Sequence, residues 1–184
     1  MPEPGLQLTR TVVMVGMMGA GKTAIGRALA ARLGVAFEDS DAEIVAASKF
    51  EISEIFERYG EDFFREKEAR IIARLLDGPP CVLSTGGGAW LSAENRAMIA
   101  ERAVSVWLKA DLELLWTRVR HKDTRPLLRT DDPRATLAEL LVARTPAYEQ
   151  AAITVETRAH WSIDQTTEAV LKSLTGAGVV EVAR

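Results

Sequence analysis

Eight consecutive residues, Gly16-Met17-Met18-Gly19-Ala20-Gly21-Lys22-Thr23, carry the first chemistry this chain offers. They fill every fixed position of the phosphate-binding pattern G-x-x-x-x-G-K-[ST]. The glycines let the backbone curl so that successive N–H groups point at one anion. The helix expected to follow adds the partial positive charge of its N-terminus. Gly19, Ala20, Gly21, Lys22, Thr23 and Ala24 are therefore the candidate phosphate contacts. Lys22 sets a point charge on the outer phosphates, and the Thr23 hydroxyl can ligate a magnesium ion.

Five further groups could act with that loop. Asp39 and Asp41 are two residues apart at an expected strand end, where alternate residues point the same way. One could serve a magnesium shell, and the other could hydrogen-bond a substrate hydroxyl or accept its proton. Taken alone, they could equally be a solvated acidic turn that caps a helix beginning at Ala42. Gly86-Gly87-Gly88 leaves bare backbone that a substrate or a terminal phosphate can approach closely. No acid stands on the strand before that triplet, so a metal would rely on Thr23, Asp39 and water. Arg65 and Glu68, at i,i+3 on a helix, are either a surface ion pair or a fork held towards an anionic substrate. The stretch Arg118 to Arg129 is locally basic, as a lid over a phosphoryl-transfer site should be, with Arg125 or Arg129 its cation. Arg144 is a second anion clamp or a helix C-terminal cation. His121 and His160 have no useful partners.

The elements that would position these groups alternate along the chain. Apolar runs at Thr11–Val15, Val35–Phe37, Cys81–Thr85, Val104–Leu108 and Ile153–Val155 read as strands. Helical patterns cover Ala24–Leu33, Ala42–Ala47, Ser53–Tyr59 and Glu61–Leu76, the last with Phe64, Ile71, Ile72 and Leu75 on one face. Further helices follow the caps Ser92 and Asp111, and one runs from Asp132-Pro133 to Arg144. Pro146 restarts a short helix, and the Ser162/Gln165 capping box opens a final one that ends near Gly176. Such alternation implies an α/β fold, a parallel sheet with helices on both faces. Ligands then bind at the carboxyl ends of the strands. The phosphate loop, Asp39 to Asp41 and the glycine triplet should all meet there in one crevice.

The bulk numbers narrow the classes. The 184 residues, 47% of them hydrophobic, suffice for one domain spanning 1–184. A net charge of −3 gives no footprint for nucleic acid or membrane. The single cysteine, Cys81, fits a reducing compartment. Met1 to Gln7 reads as a floppy leader rather than a signal peptide. A cytoplasmic protein is expected.

Taken in order, Gly16–Thr23, Asp39-Ser40-Asp41, Phe64-Arg65-x-x-Glu68, Gly86-Gly87-Gly88, Arg118, Arg125-Pro126-Leu127-Leu128 and Arg144 with Tyr148-Glu149 resemble the shikimate kinase family. The resemblance implies a P-loop fold of the nucleoside-monophosphate-kinase kind, with a five-stranded parallel sheet of order 2-3-1-4-5. It implies transfer of the ATP γ-phosphoryl to the 3-hydroxyl of shikimate, with Mg2+ held by Thr23 and, through water, by Asp39. Asp41 would bind shikimate hydroxyls and be the candidate base. Arg65 and Arg144 would grip the carboxylate. Phe56 and Phe64 would line the pocket, and Gly86, Gly87 and Gly88 would support the ring. Lys22 and Arg125 would stabilise the transferring charge, with Arg118 and Arg158 on the adenine side. Substrate-binding helices would span about 40–76 and a lid about 121–134. ATP and shikimate would be the partners of a monomer. Ser48-Lys49 departs from the family's Thr-Gly. Gluconate kinase, a nucleoside monophosphate kinase and a nucleotide switch without acceptor chemistry are the rivals. The first should lack the glycine triplet and the F-R-x-x-E pair. The second would want a base-reading pocket that nothing here suggests, and the switch would need no second anion site.

Overall fold

The computed structural model describes residues 5–122 and 126–183. Seven strands and seven helices alternate in the order β1 (Leu6–Leu8), β2 (Thr11–Val15), α1 (Lys22–Leu33), β3 (Phe37–Asp39), α2 (Ser40–Ser48), α3 (Ile52–Leu76), β4 (Val82–Ser84), α4 (Ala93–Arg102), β5 (Ala103–Lys109), α5 (Leu112–Val119), α6 (Pro133–Tyr148), β6 (Ile153–Glu156), α7 (Ile163–Gly176) and β7 (Val180–Val182). Short 3-10 turns lie at Ala89–Leu91 and Pro126–Leu128. Five strands form the parallel sheet β3-β4-β2-β5-β6, which is the expected order 2-3-1-4-5. Every residue of β2 is buried, as a central strand covered on both faces requires.

Register fixes the crevice. Asp39, Ser84 and Met14 share one row across β3, β4 and β2. The phosphate loop therefore leaves β2 beside the turn that leaves β4, with the start of α2 on the other side. All three departures lie at carboxyl ends.

Several boundaries differ from expectation for local reasons. The second strand begins at Phe37 rather than Val35. Gly34 ends α1 in a left-handed conformation, and the Val35 N–H is still bonded to the Ala30 carbonyl at 3.1 Å. The two helices expected between Ser53 and Leu76 form one run broken at Gly60, whose φ of 83° and ψ of 173° only glycine adopts readily. Pro146 does not restart a helix. It sits in the last turn of α6, where it forfeits one bond, to the Val142 carbonyl, with little helix left beyond it to kink. Lys49, in the departure noted above, closes α2 at φ 64° and is the one non-glycine residue with positive φ among the described residues.

Gly5 to Gln7 is not a loose leader. Leu6–Leu8 pairs antiparallel with Val180–Val182, outside the main sheet. Helix α3 straddles two apolar clusters. Its first half joins Ile44, Ile55 and Phe64, with Phe50, Ile52, Phe56, Phe63 and Ile71 around them. Ile72, Leu75 and Leu76 belong to the main core. Among the described residues no helix is long and apolar enough to cross a membrane.

Candidate active site

The phosphate loop owes its shape to three glycines with positive φ: Gly16 (147°), Gly19 (81°) and Gly21 (97°). Lys22, the first residue of α1, folds back over the loop. Its Nζ donates to the carbonyls of Gly16 at 2.7 Å and Met17 at 3.1 Å. Thr23 and Ala24 are exposed in the first turn of α1, where unpaired amides and the helix dipole favour an anion. Arg118, at the end of α5, closes the outer side. Its Nη1 donates to the carbonyls of Gly19 at 3.0 Å and Ala20 at 3.2 Å. Burial lowers the Arg118 pKa from its ordinary value.

The acidic pair is built differently from the sequence expectation. Asp39 ends β3, but Asp41 already belongs to the first turn of α2. Asp39 Oδ1 caps that helix, accepting from the N–H groups of Asp41 at 2.9 Å and Ala42 at 3.1 Å. Only one Asp39 oxygen, Oδ1, is committed to that cap. The Asp41 Oδ1 is buried without a hydrogen-bond partner. Burial raises the Asp41 pKa above 3.8 and the Asp39 charge adds to the rise, while Lys22 and Arg65 pull it down. Asp39, Lys22 and Arg65 thus all act electrostatically on the Asp41 carboxylate.

Arg65 and Glu68 are not a surface pair. Glu68 is 1% exposed and accepts from Arg65 Nη1 at 2.8 Å. Burial raises its pKa, and Arg65 opposes the rise. The Arg65 guanidinium lies 5.1 Å from the centre of the Phe64 ring, which packs on Phe56 at 4.6 Å. Arg65 is thus fixed by an acid below and an aromatic wall beside it, with part of its fork still facing the crevice.

The glycine triplet is where the pieces meet. The Asp41 carboxylate lies over Gly86, Arg144 over Gly87 and Arg65 over Gly88. The turn is clamped from behind by residues that sequence reasoning left without a role. The Tyr148 hydroxyl donates to the Gly87 carbonyl at 3.2 Å; burial raises its pKa, and the nearby Arg144 opposes the rise. Trp90 Nε1 donates to the Ala147 carbonyl at 2.7 Å, tying the turn to α6. Asn95 Nδ2 donates to the Ala89 carbonyl at 3.0 Å. Only Tyr148 had a sequence signal, as part of a motif with Arg144. Trp90 and Asn95 act through contacts no local pattern announces.

Other candidates fall outside this cluster. Arg158 is exposed after β6, with its guanidinium 5.1 Å over the ring of Trp161. Arg125 lies outside the described residues. The described part of the lid segment includes the turn Pro126–Leu128, anchored by buried Leu128, and exposed Arg129.

With this geometry in hand, known proteins supply the comparison. The family description "Shikimate kinase" matches residues 18–175. A shikimate kinase of Ruegeria pomeroyi is 65% identical over 167 residues, covering 91% of this chain and 86% of its own. One from Cereibacter sphaeroides is 65% identical over 150 residues, covering 82% and 75%. Among solved structures, the shikimate kinase from Acinetobacter baumannii in complex with shikimate superposes with a TM-score of 0.85 at 37% identity, over 91% of this chain and 94% of that one.

Proposed function

The chain belongs to the shikimate kinase family, and from that membership we propose how its residues divide the work. It is a kinase that uses ATP to phosphorylate shikimate, giving shikimate 3-phosphate. The acceptor hydroxyl oxygen bonds to the γ-phosphorus, the bond from that phosphorus to the β-phosphate oxygen breaks, and the hydroxyl proton needs an acceptor. Such a transfer asks the protein mainly for positioning and charge.

In this reading Gly19, Ala20, Gly21, Lys22, Thr23 and Ala24 cradle the phosphates. Lys22 and Arg125 neutralise charge on the transferring group, and Arg118 and Arg158 flank the adenine. Arg65 and Arg144 grip the shikimate carboxylate, Phe56 and Phe64 wall the ring, and Gly86, Gly87 and Gly88 run alongside it. Asp41 receives the acceptor hydroxyl. Its unpartnered Oδ1 is the acceptor atom such a hydrogen bond needs, and its raised pKa makes it a better base than an ordinary carboxylate.

Magnesium fits the donors present. The oxygens beside the loop are the Thr23 hydroxyl and the uncommitted side of Asp39. No cluster of three or more His, Cys, Asp or Glu residues among the described residues could hold a metal alone. Mg2+ is commonly held by one or two protein oxygens together with water and substrate phosphates. When bound, it would neutralise phosphate charge. The reading takes residues 1–184 as one kinase domain, with substrate-binding helices at about 40–76 and a lid at about 121–134. It also takes the protein as a monomer, and as a cytoplasmic protein that binds neither nucleic acid nor membrane; the single cysteine supports the compartment and the net charge of −3 the lack of a nucleic-acid or membrane footprint.

The observation that carries this division of labour is the meeting of Asp41, Arg144 and Arg65 on three successive residues of one turn, beside the strand that feeds the phosphate loop. The test is ADP release with shikimate against gluconate. Release with shikimate alone is expected. Release indifferent to shikimate would reject the assignment.

A further inference from the structure

We infer that Gly86, Gly87 and Gly88 are three separate seats for side chains of this protein, one each for Asp41, Arg144 and Arg65. The inference rests on the roles proposed above for those three residues.

Glycine is not needed here for the backbone. None of the three has a positive φ, and Gly88 sits at φ −87° and ψ −18°, where any residue fits. Space is the constraint. A Cβ at Gly86 would stand 2.9 Å and 3.0 Å from the two carboxylate oxygens of Asp41. At Gly87 it would stand 3.0 Å from Arg144 Nη1. At Gly88 it would stand 2.7 Å from Arg65 Nη1 and 2.8 Å from Cζ. Each position thus excludes a different group.

The turn itself is pinned. The Ala89 N–H donates to the Gly86 carbonyl at 3.1 Å, Tyr148 holds the Gly87 carbonyl, and Asn95 holds the Ala89 carbonyl. Arg96 Nη1 donates to the carbonyls of Trp90 at 2.8 Å and Leu91 at 2.9 Å. The obstructing atoms, by contrast, are tips of side chains that can rotate. An added methyl will therefore push the tip aside and leave the turn and core in place. The three glycines are positioning residues, and their loss reads out separately. Gly86→Ala misplaces the carboxylate at the acceptor hydroxyl and lowers kcat. Gly88→Ala and Gly87→Ala misplace one carboxylate clamp each and weaken shikimate binding.

The test is a double-mutant cycle on the shikimate dissociation constant, measured by titration calorimetry with the thermal midpoint of every variant. Gly88→Ala should weaken shikimate at least about fivefold, with a midpoint no lower than that of Arg65→Ala, which breaks the same 2.8 Å bond to buried Glu68. In an Arg65→Ala background the same change should cost less than about twofold more, because residues in contact are non-additive. Wild-type affinity in Gly88→Ala would overturn the inference. So would a full penalty retained without the Arg65 guanidinium, which would mean that the glycine backbone meets the ligand directly. A fall in midpoint beyond that of Arg65→Ala would also overturn it, since the turn rather than the tip would have given way. If Arg65→Ala alone leaves shikimate binding intact, the clamp role fails instead. A crystal structure of Gly88→Ala then decides the seat: a displaced guanidinium supports it, and an unmoved one refutes it.

Discussion

Two glycine-rich turns leave neighbouring strands of one sheet, yet glycine is present in each for a different cause. In Gly16–Thr23 the backbone itself demands it. Gly16, Gly19 and Gly21 hold positive φ, and a Cβ at Gly19 would lie 2.7 Å from Val119 Cγ1 in the core. In Gly86–Gly88 the backbone is ordinary and the obstacles are functional side chains. In the proposed division of labour the first turn offers its own amides to the phosphates. The second makes room for groups that come from α2, α3 and α6. A glycine count cannot tell these apart, but substitution can, because one turn should lose its fold where the other loses only its alignment.

The contrast can be broken at its cations first. Lys22→Met removes the point charge over the phosphate loop, and kcat should fall by at least about 100-fold, the scale of losing one preorganised charge donor. Retained turnover in the ADP-release assay would count against the loop assignment. Next, Arg65→Ala, from α3 beside the other turn, removes a charge-assisted contact worth about 1.5–3 kcal/mol. The shikimate KM should rise roughly 10- to 100-fold with the ATP KM nearly constant. Equal changes in both would contradict the placement.

Gly19→Ala sharpens the comparison on stability. A non-glycine residue at φ 81° stores about 1–3 kcal/mol of strain, before any clash with Val119. The thermal midpoint should drop by roughly 2–10 °C. Gly87→Ala, on an unstrained backbone, should hold its midpoint or gain slightly through a less flexible unfolded chain. Equal drops would erase the distinction.

The smallest effect is a pH dependence. The folded-state pKa of Asp41 is raised, chiefly by burial and then by the Asp39 charge, against the pull of Lys22 and Arg65. Between 3.8 and that raised value the folded protein holds more protons than the unfolded chain, so the Asp41 contribution to stability falls as pH rises through the window. Glu68 adds a slope of the same sign. Denaturant melts across that window should show a shallower decline for Asp41→Asn, and a more stable variant above it. Parallel curves for the two proteins would show that the carboxylate carries no such cost.

How much of this was legible in the sequence follows from how local each cause is. Four of the five main strands lie in apolar runs that declare themselves, whereas β3, Phe37-Glu38-Asp39, was expected two residues early; the strand order followed from the resemblance. The ribbon of Leu6–Leu8 and Val180–Val182 was not legible, because the contact that makes it spans the chain, as with Thr9 and Val179. The phosphate loop was readable because its reason is local backbone geometry. The triplet was readable only as a close approach. That Asp41, Arg144 and Arg65 are what approaches depends on three distant elements meeting. Asp39 and Asp41 were paired by strand alternation, whereas helix capping places them. Glu68 was balanced between two readings until its burial decided for the interior.

The most direct test of the account is a crystal structure with shikimate, magnesium and a non-hydrolysable ATP analogue. The account predicts the terminal phosphate against Lys22, the ring carboxylate on Arg65 and Arg144, and the acceptor hydroxyl at Asp41 Oδ1, in one continuous cavity. Shikimate bound away from the glycine triplet, or with Arg65 and Asp41 turned from Lys22, would contradict it.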